Sequence, residues 1–325
     1  MFNKKIRFGV LGFADIAKRK VIPALLKSKS ACLSGIATRG EDKAKEIEDT
    51  YKVKSYSYEA LLDSNEIDAV YIPLPNNLHF EWSLKALEKG KHVLCEKPAV
   101  LDVESALVLA QAAEKHERCL MEGYMFLYHP QHRKVKEIID AGDIGEPKLF
   151  RSSFGFVLND PGNFRFKKGG GALLDLGGYS LSIIRLLFKA EPKEASGFAC
   201  YNKEEVDVDF SAVVKLSNSI NADVSCSFNR AYECFYQVIG TDGIISLDRS
   251  YTTPDNLDNI IHLKTAHGVE QVSVSRSDHF LDMIEYFCDN INSAEIRHSL
   301  ITQMKSQAKA VEIVRAGLKA CGPKI

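Results

Sequence analysis

The sequence predicts an α/β protein in two parts: an N-terminal, doubly wound parallel sheet and a C-terminal α/β domain built on an open, mostly antiparallel sheet. Residues 6–120 alternate short apolar runs with helical stretches, the pattern of a parallel sheet joined by crossover helices. From about residue 206, period-two runs succeed one another without intervening helices, which requires antiparallel neighbours. A chain of 325 residues holds roughly two ordinary domains. The change of grain puts the division at 1–122 and 123–325.

Ile6–Gly12 (IRFGVLG) reads as a buried strand. Ala14–Ser28 follows with helical spacing, and Pro23 should kink or divide it, because proline has no N–H to give the helix. Leu33–Thr38 is a second strand, Glu41–Tyr51 a charged surface helix and Ile67–Ile72 a third strand. A helix from about Leu78 to Lys89 stops at Gly90, and Lys91–Glu96 forms the next strand. Leu101–His116 is amphipathic, and Cys119–Tyr124 is a further short strand. This order is that of a Rossmann-type domain. In the second part a helix over Gln131–Ala141 ends at Gly142 and leads to a strand near Leu149–Phe156. A glycine-rich passage and a helix over Leu174–Phe188 come next. Val206–Asn218, Ile220–Asn229, Glu233–Gly240 and Gly243–Asp248 then alternate as strands. Two helices, Asp278–Ile291 and Leu300–Ala320, close the chain.

Composition excludes several classes. Hydrophobic residues at 45% and charged residues at 26% are those of a globular protein, not a disordered or fibrous one. Lys plus Arg number 42 against 43 Asp plus Glu, a balance that argues against a nucleic-acid surface. No run approaches the ~20 apolar residues of a membrane helix. The first residues place lysines before an apolar stretch, but that stretch is only a strand long and runs into Asp15, Lys18, Arg19 and Lys20, so no leader is expected. The eight cysteines (32, 95, 119, 200, 226, 234, 288 and 321) show no CxxC spacing. They are expected as buried free thiols in a reducing compartment, which points to the cytoplasm. His129-x-x-His132 is a metal-like spacing with no Cys or Asp cluster beside it in sequence, so no metal is expected.

Three constellations carry chemistry. The first strand ends in Gly12-Phe13-Ala14-Asp15-Ile16-Ala17, a degenerate form of the G-x-G-x-x-G turn that brings backbone N–H groups and a helix N-terminus to a pyrophosphate. Alone, it also suits a plain strand-to-helix turn. The second strand ends in Thr38-Arg39, where an acidic residue would hold the ribose hydroxyls of NAD. A hydroxyl and a guanidinium suit a 2′-phosphate instead, so NADP(H) is the expected cofactor, against the plainer reading of a solvated arginine. Glu96-Lys97-Pro98 follows a buried strand at the carboxyl edge of the sheet, with Pro73-Leu74-Pro75-Asn76-Asn77-Leu78-His79 on the same edge. Lys97 there can bond a substrate oxygen, and Pro98 is a candidate for a cis peptide. By itself this is also a common surface turn. Last, Gly169-Gly170-Gly171 would let the backbone pass close to another surface, expected to be that of the cofactor domain. Asp175 and Tyr179 stand four apart on the helix that follows, sharing a face.

Together these residues resemble the Gfo/Idh/MocA oxidoreductases. The likeness rests on Gly12-x-Ala14-Asp15-Ile16-Ala17, Tyr71-Ile72-Pro73-Leu74-Pro75 with His79, Trp82, Gly90-Lys91-His92-Val93 with Glu96-Lys97-Pro98, Met121-Glu122, His129-Pro130-Gln131 and Asp175-x-Gly177-x-Tyr179. It is dense over residues 6–187 and thin afterwards. Within the family the chain looks most like the NADP-dependent 3-ketoreductases of nucleotide-linked deoxysugars and the dihydrodiol and xylose dehydrogenases. The resemblance implies a cofactor domain over 1–122 and a substrate-binding, oligomerising domain over 123–325, as a homodimer or homotetramer. It assigns Lys97 to substrate and nicotinamide ribose, and with the readings above the expected cofactor contacts are Gly12, Phe13, Ala14, Asp15, Ile16, Thr38, Arg39, Leu74, Pro75, Asn76, His79, Glu96 and Lys97, with Arg165 a candidate for the cofactor or for a substrate phosphate, and Lys97, Tyr179 and Asp175 catalytic.

Inositol-type members carry a histidine where this chain has Tyr179. A phenol with an ordinary pKa near ~10 is a poor base at neutral pH but a good acid toward a forming alkoxide. The expectation is reduction of a keto group on a nucleotide-linked deoxysugar, with the ketone carbon held within roughly 3–3.5 Å of the nicotinamide. Lys97 would polarise the carbonyl, Tyr179 deliver the proton and Asp175 orient the sugar or Lys97. Lys167, Lys168 and Arg230 are candidates for the nucleotide diphosphate. The alternatives are oxidation of a free aldose or a trans-dihydrodiol, and a non-catalytic dinucleotide sensor, which would have no need of both Lys97 and Tyr179.

Overall fold

The computed structural model describes residues 5–322, and the chain divides into two compact units. The first runs through Met125 and takes in Phe280–Lys305. Its chain order is β1 (Ile6–Leu11), α1 (Ile22–Lys27), β2 (Ala31–Ala37), α2 (Glu41–Tyr51), β3 (Lys54–Tyr56), α3 (Tyr58–Asp63), β4 (Ala69–Ile72), α4 (Asn76–Glu88), β5 (His92–Glu96), α5 (Val103–Lys115) and β6 (Leu120–Gly123). The six strands pair in parallel in the order β3-β2-β1-β4-β5-β6, the doubly wound arrangement whose chain reversal beside β1 leaves a crevice at the carboxyl ends. Val10 and Leu11 of β1, every residue of β4, and Val93–Cys95 of β5 are buried, as strands covered by helices on both faces must be.

The helix expected over Ala14–Ser28 is indeed divided next to Pro23. A π-helical turn, Ala17–Val21, takes up an extra residue, and α1 restarts with Pro23 in its first turn, where the missing N–H has no partner to lose.

The second unit comprises Phe126–His279 and the chain from Ser306 onward. It contains α6 (Pro130–Ala141), β7 (Pro147–Gly155), α7 (Gly178–Phe188), β8 (Pro192–Tyr201), β9 (Asp207–Leu216), β10 (Asn221–Ser227), β11 (Glu233–Gly240), β12 (Gly243–Asp248), β13 (Asn259–Thr265) and β14 (Gly268–Val274). α8 (His279–Asn290), α9 (Ala294–Gly317) and β15 (Leu318–Ala320) follow. The nine strands lie in the order β14-β13-β12-β11-β7-β10-β9-β8-β15, antiparallel except where β10 meets β7 and β15 meets β8. Along β9, Val208, Phe210, Ala212, Val214 and Leu216 point to the buried face, with polar residues and Val213 on the other. A π-helical turn, Leu173–Gly177, runs directly into α7, and Tyr179 of this helix meets Phe154 of β7 ring to ring at 5.4 Å.

Three expectations are corrected. The last helix spans Ala294–Gly317 rather than Leu300–Ala320, because Leu318–Ala320 leave it to pair with Gly197–Ala199 of β8. Phe280–Lys305 belong with the first unit, where Phe287 packs on Phe8 at 5.6 Å, so that the expected second domain over 123–325 is interrupted. Finally, the cysteines are not all free: Cys200 at the end of β8 and Cys321 beyond β15 form a disulfide. The other six are unpaired, and burial pushes the Cys119 and Cys288 thiols up to about 12. Thiol titration in denaturant should therefore count six reactive groups before reduction and eight after. Eight at the outset would remove the disulfide.

Candidate active site

In the first unit, the carboxyl ends of β1, β2, β4 and β5 bring the expected residues to one edge of the sheet. Beyond β1, Gly12 takes φ +119°, a conformation that favours glycine, and a Cβ there would come within 2.7 Å of Leu74. Its N–H bonds Ala37 O at 3.1 Å, fixing the turn against β2. Phe13, Ala14, Asp15 and Ile16 lead from the turn into the helix, and Ala17 is fully buried where a larger side chain would part helix from sheet. Thr38 and Arg39 follow β2 and, with Phe13, Glu41, Asp42, Lys43 and Tyr58, line a cleft of about 700 Å3. The Arg39 guanidinium lies 5.9 Å from the Tyr58 ring, which in turn stands edge-on to Trp82 at 5.0 Å.

Between β4 and α4, Leu74 and Pro75 make the loop and Asn76 opens the helix. His79 is buried, with Nε2 2.6 Å from Leu74 O and Nδ1 2.7 Å from Pro98 O. It therefore ties this loop to the one after β5 and has neither nitrogen turned to a ligand. A neutral imidazole can donate to only one of the two carbonyls. Burial nevertheless holds the His79 pKa below its ordinary value, with nearby Lys97 adding to the effect. Glu96, the last residue of β5, accepts the Tyr71 hydroxyl at 2.6 Å, and the Lys97–Pro98 peptide is cis. Glu122 of β6 accepts the Ala99 N–H at 2.8 Å, anchoring the far side of the same loop.

In the second unit, the glycine run makes close approaches within its own unit, Gly170 to the backbone of Arg165 and Gly171 to a side chain of β9. Gly171, at φ +113°, is pressed against the carboxylate of Asp207 in the same unit, and a Cβ would collide with it. Arg165 donates from Nε to Asp175 Oδ2 at 2.6 Å and lies 4.8 Å from the Phe164 ring, so its charge is engaged by the neighbouring carboxylate. Asp175 sits inside the π-helical turn and Tyr179 in the first turn of α7, four residues on as the spacing implied. Such turns recur at functional sites. The Tyr179 ring is surrounded by Phe126, Phe154 and Tyr251 at 5.2–5.5 Å. Beneath it, the Tyr251 hydroxyl, Ser152 Oγ and Ser180 Oγ form a chain of contacts at 2.6 and 2.7 Å. No short motif announces Tyr251 or the two serines; only their alternation and apolar setting mark them as buried.

Two of the three candidates for a diphosphate are already paired, Lys167 with Glu204 at 2.7 Å and Arg230 with Asp209, from Nε, at 2.9 Å. Lys168 is exposed. His129 caps α6 by accepting the Gln131 N–H, and His132 lies 3.0 Å from the Tyr236 hydroxyl. Both histidines thus have places in the packing of the unit.

A 3-2-1-4-5-6 parallel sheet with a glycine turn and a lysine at its carboxyl edge, followed by a mixed-sheet domain, defines a dinucleotide-dependent oxidoreductase. Residues 6–124 match the NAD-binding Rossmann-fold oxidoreductase family, and residues 132–246 match the GFO/IDH/MocA C-terminal domain. The chain belongs to the Gfo/Idh/MocA family. It is 34% identical, over 97% of its own length and 96% of the relative's, to a dTDP-3,4-didehydro-2,6-dideoxy-alpha-D-glucose 3-reductase of Actinomadura kijaniata. It is 30% identical to D-xylose 1-dehydrogenase (NADP(+)) 2 of Haloferax volcanii, over 89% and 90%. Among solved structures it matches KijD10, a 3-ketoreductase from Actinomadura kijaniata in complex with NADP and TDP-benzene, with a TM-score of 0.91, 34% identity and coverage of 98% and 99%.

The buried imidazoles set an acid limit on the fold. Burial lowers His92 and His129 to about 4 and holds His79 and His132 below the ordinary value. The unfolded chain then binds protons first as pH drops below ~6.5, so the stability these residues contribute is complete above that value and is lost toward pH 4. Asp207, pushed up to about 6, works in the opposite sense but is one group against four. The melting temperature should fall by roughly 5–10 °C between pH 7.5 and pH 5, at about 2–4 °C per kcal/mol. A flat profile in a pH-scanned thermal melt would contradict neutral buried histidines.

Proposed function

We propose that the protein is an NADPH-dependent reductase acting on a keto group of a nucleotide-linked deoxysugar. The observation that carries this reading is the presence of Lys97 at the carboxyl end of β5, and of Asp175 and Tyr179 one helical turn apart in the second unit, in a chain that matches a dTDP-sugar 3-reductase over nearly its whole length. The residues suit the cofactor. Gly12 leaves the backbone of the turn open to a pyrophosphate, Ala14, Asp15 and Ile16 begin the helix beyond it, and Thr38 and Arg39 offer a 2′-phosphate a hydroxyl and a cation in the cleft after β2. Phe13, Leu74, Pro75, Asn76 and Glu96 line the same edge, and His79 fixes the loop they belong to.

When held by the turn after β1 and the cleft after β2, NADPH would supply the hydride that adds to the ketone carbon. Lys97 holds the carbonyl oxygen and draws electron density toward it. Tyr179 then transfers its phenolic proton to that oxygen, the O–H bond forming as negative charge develops there. Asp175, held by Arg165, accepts a sugar hydroxyl and so fixes which carbonyl faces Lys97. Arg165 contributes to binding through Asp175 rather than as an isolated phosphate ligand.

One observation favours a second reading. With Lys167 and Arg230 engaged by Glu204 and Asp209, two of the three cations expected for a diphosphate already have partners, which suits a free aldose or dihydrodiol. Exposed Phe198 and Val213, on the open sheet face, support self-association as a dimer or tetramer. Six unpaired cysteines support a cytoplasmic setting, and Cys200–Cys321 stands against it. No described helix is long and apolar enough to cross a membrane.

Oxidation of NADPH, followed at 340 nm, should occur with keto-deoxysugar nucleotides and not with free sugars or dicarbonyls. Turnover confined to free sugars would replace this reading with the second one. Tyr179→Phe should lower kcat by roughly 10²–10⁴-fold with NADPH affinity unchanged, as expected for loss of a general acid. Equal turnover would end the proton-donor role. Arg39→Ala should weaken NADPH binding about 10–100-fold, the worth of a charge-assisted bond, and leave NADH binding nearly as it was. Equal loss for both cofactors would move the 2′-phosphate site elsewhere.

A further inference from the structure

The helix that carries Asp175 and Tyr179 begins abnormally. Its first turn, Leu173–Gly177, is π-helical, and Ala172 ahead of it gives no side-chain cap to the exposed N–H groups. Four backbone donors at such an end need partners from elsewhere. They find one on a different element: Asp207, the first residue of β9, accepts the Leu173 N–H through Oδ2 at 2.6 Å, and its carboxyl is also bonded by the Ala172 N–H. Gly171 has no side chain, and the carboxylate occupies the space where its Cβ would stand. The Asp175 N–H then bonds back to Gly171 O at 2.9 Å. The place of Asp175 is thus set by a turn whose start is pinned from β9.

We propose that Asp207 is a positioning residue for the reaction, holding the first turn of this helix from β9 and so setting where Asp175 and Tyr179 stand. The inference rests on the reading of those two side chains as the reacting pair.

Stability alone does not account for an aspartate here. Its surroundings desolvate the carboxyl and push it up to about 6, against the pull of the Leu173 and Ala172 N–H groups and Arg315, so the charge is held at some loss to the fold. Serine or asparagine caps a helix without that penalty. What the charge adds is a stronger, shorter hold on a positive helix end. The charged and titratable groups around it are Arg315 of α9, Tyr201 of β8, Cys226 of β10 and Asp175 on the helix itself. Cys226 is buried with its pKa raised and stays neutral, and Tyr201 is likewise raised. Asp207 therefore changes charge near pH 6.

The test combines amide hydrogen exchange with kinetics on the full chain. In Asp207→Ala, protection over residues 172–179 should fall at least tenfold while that of 181–188 holds, and kcat should fall at least tenfold with NADPH affinity unchanged. In Asp207→Asn, which keeps an acceptor but not the charge, kcat should recover most of that loss. The wild-type loss of protection over 172–175 between pH 7 and pH 5, corrected for intrinsic exchange, should disappear in this variant. Unchanged protection or unchanged kcat in Asp207→Ala, or the same acid-side loss persisting in Asp207→Asn, would overturn the proposal. If Asp207→Ala does not fold, the pH dependence in Asp207→Asn decides. If the wild-type protein turns over no tested substrate, the functional reading fails, and the exchange measurements still decide for Asp207.

Discussion

His79 reaches two backbone carbonyls, Leu74 O at 2.6 Å and Pro98 O at 2.7 Å, and the geometry of the first unit follows from that bridge. Leu74 is the side chain that lies against Gly12, and Pro98 is the partner of Lys97 in the cis peptide. A single buried imidazole thus joins the loops after β4 and β5, and the Leu74 side chain of the first of these packs against the turn after β1. A parallel sheet offers no hydrogen bonds between such loops, since its ladders end where the strands end. Something else must hold them at a common height, and a buried ring set between the two carbonyls, donating to one and packed against the other, does so.

The second unit uses a different device for the same end. Its floor is polar: Ser152, Ser180 and Tyr251 bond one another beneath Tyr179, and Gln131 bonds Ser250, Thr253 and Asn259 nearby. Networks of this kind are unforgiving of displacement, because a buried group that loses its partner pays a desolvation penalty of about 1–3 kcal/mol. Tyr179 rests on a platform with few alternative arrangements. The Arg165–Asp175 pair extends that order outward to the edge of the helix.

Much of the first unit was legible in the sequence because β1, β4 and β5 are covered on both faces and appear as unbroken apolar runs. In the second, β9 to β12 showed themselves by alternation. The hairpin β13–β14 went unread: Gly268–Val274 is mostly exposed, so no buried face imposed a period on β14, although β13 does alternate, with Ile261 and Leu263 buried. β8, with Lys193, Glu194 and Gly197, was hidden for the same reason. Lys97 and Tyr179 could be picked out because they stand beside Pro and Gly, the residues that punctuate a chain. The role of Asp207 could not, since VDVDF specifies a strand and its partner lies 34 residues earlier. Likewise the glycine run announced a close approach without saying to what, and the disulfide joins cysteines 121 residues apart that no local spacing relates.

That disulfide has a bearing on solubility. β15 is three residues long and pairs in parallel with Gly197–Ala199, too short a strip to stay in place by its own ladder. Cys321, bonded through its N–H to Ala199 O at 2.9 Å and through sulfur to Cys200, anchors it. Without β15 the outer rim of β8 would present unpaired backbone groups beside exposed Phe198, the sort of open template on which foreign strands add. Leu318–Cys321 therefore act as a selvedge, a sewn border along the rim of β8.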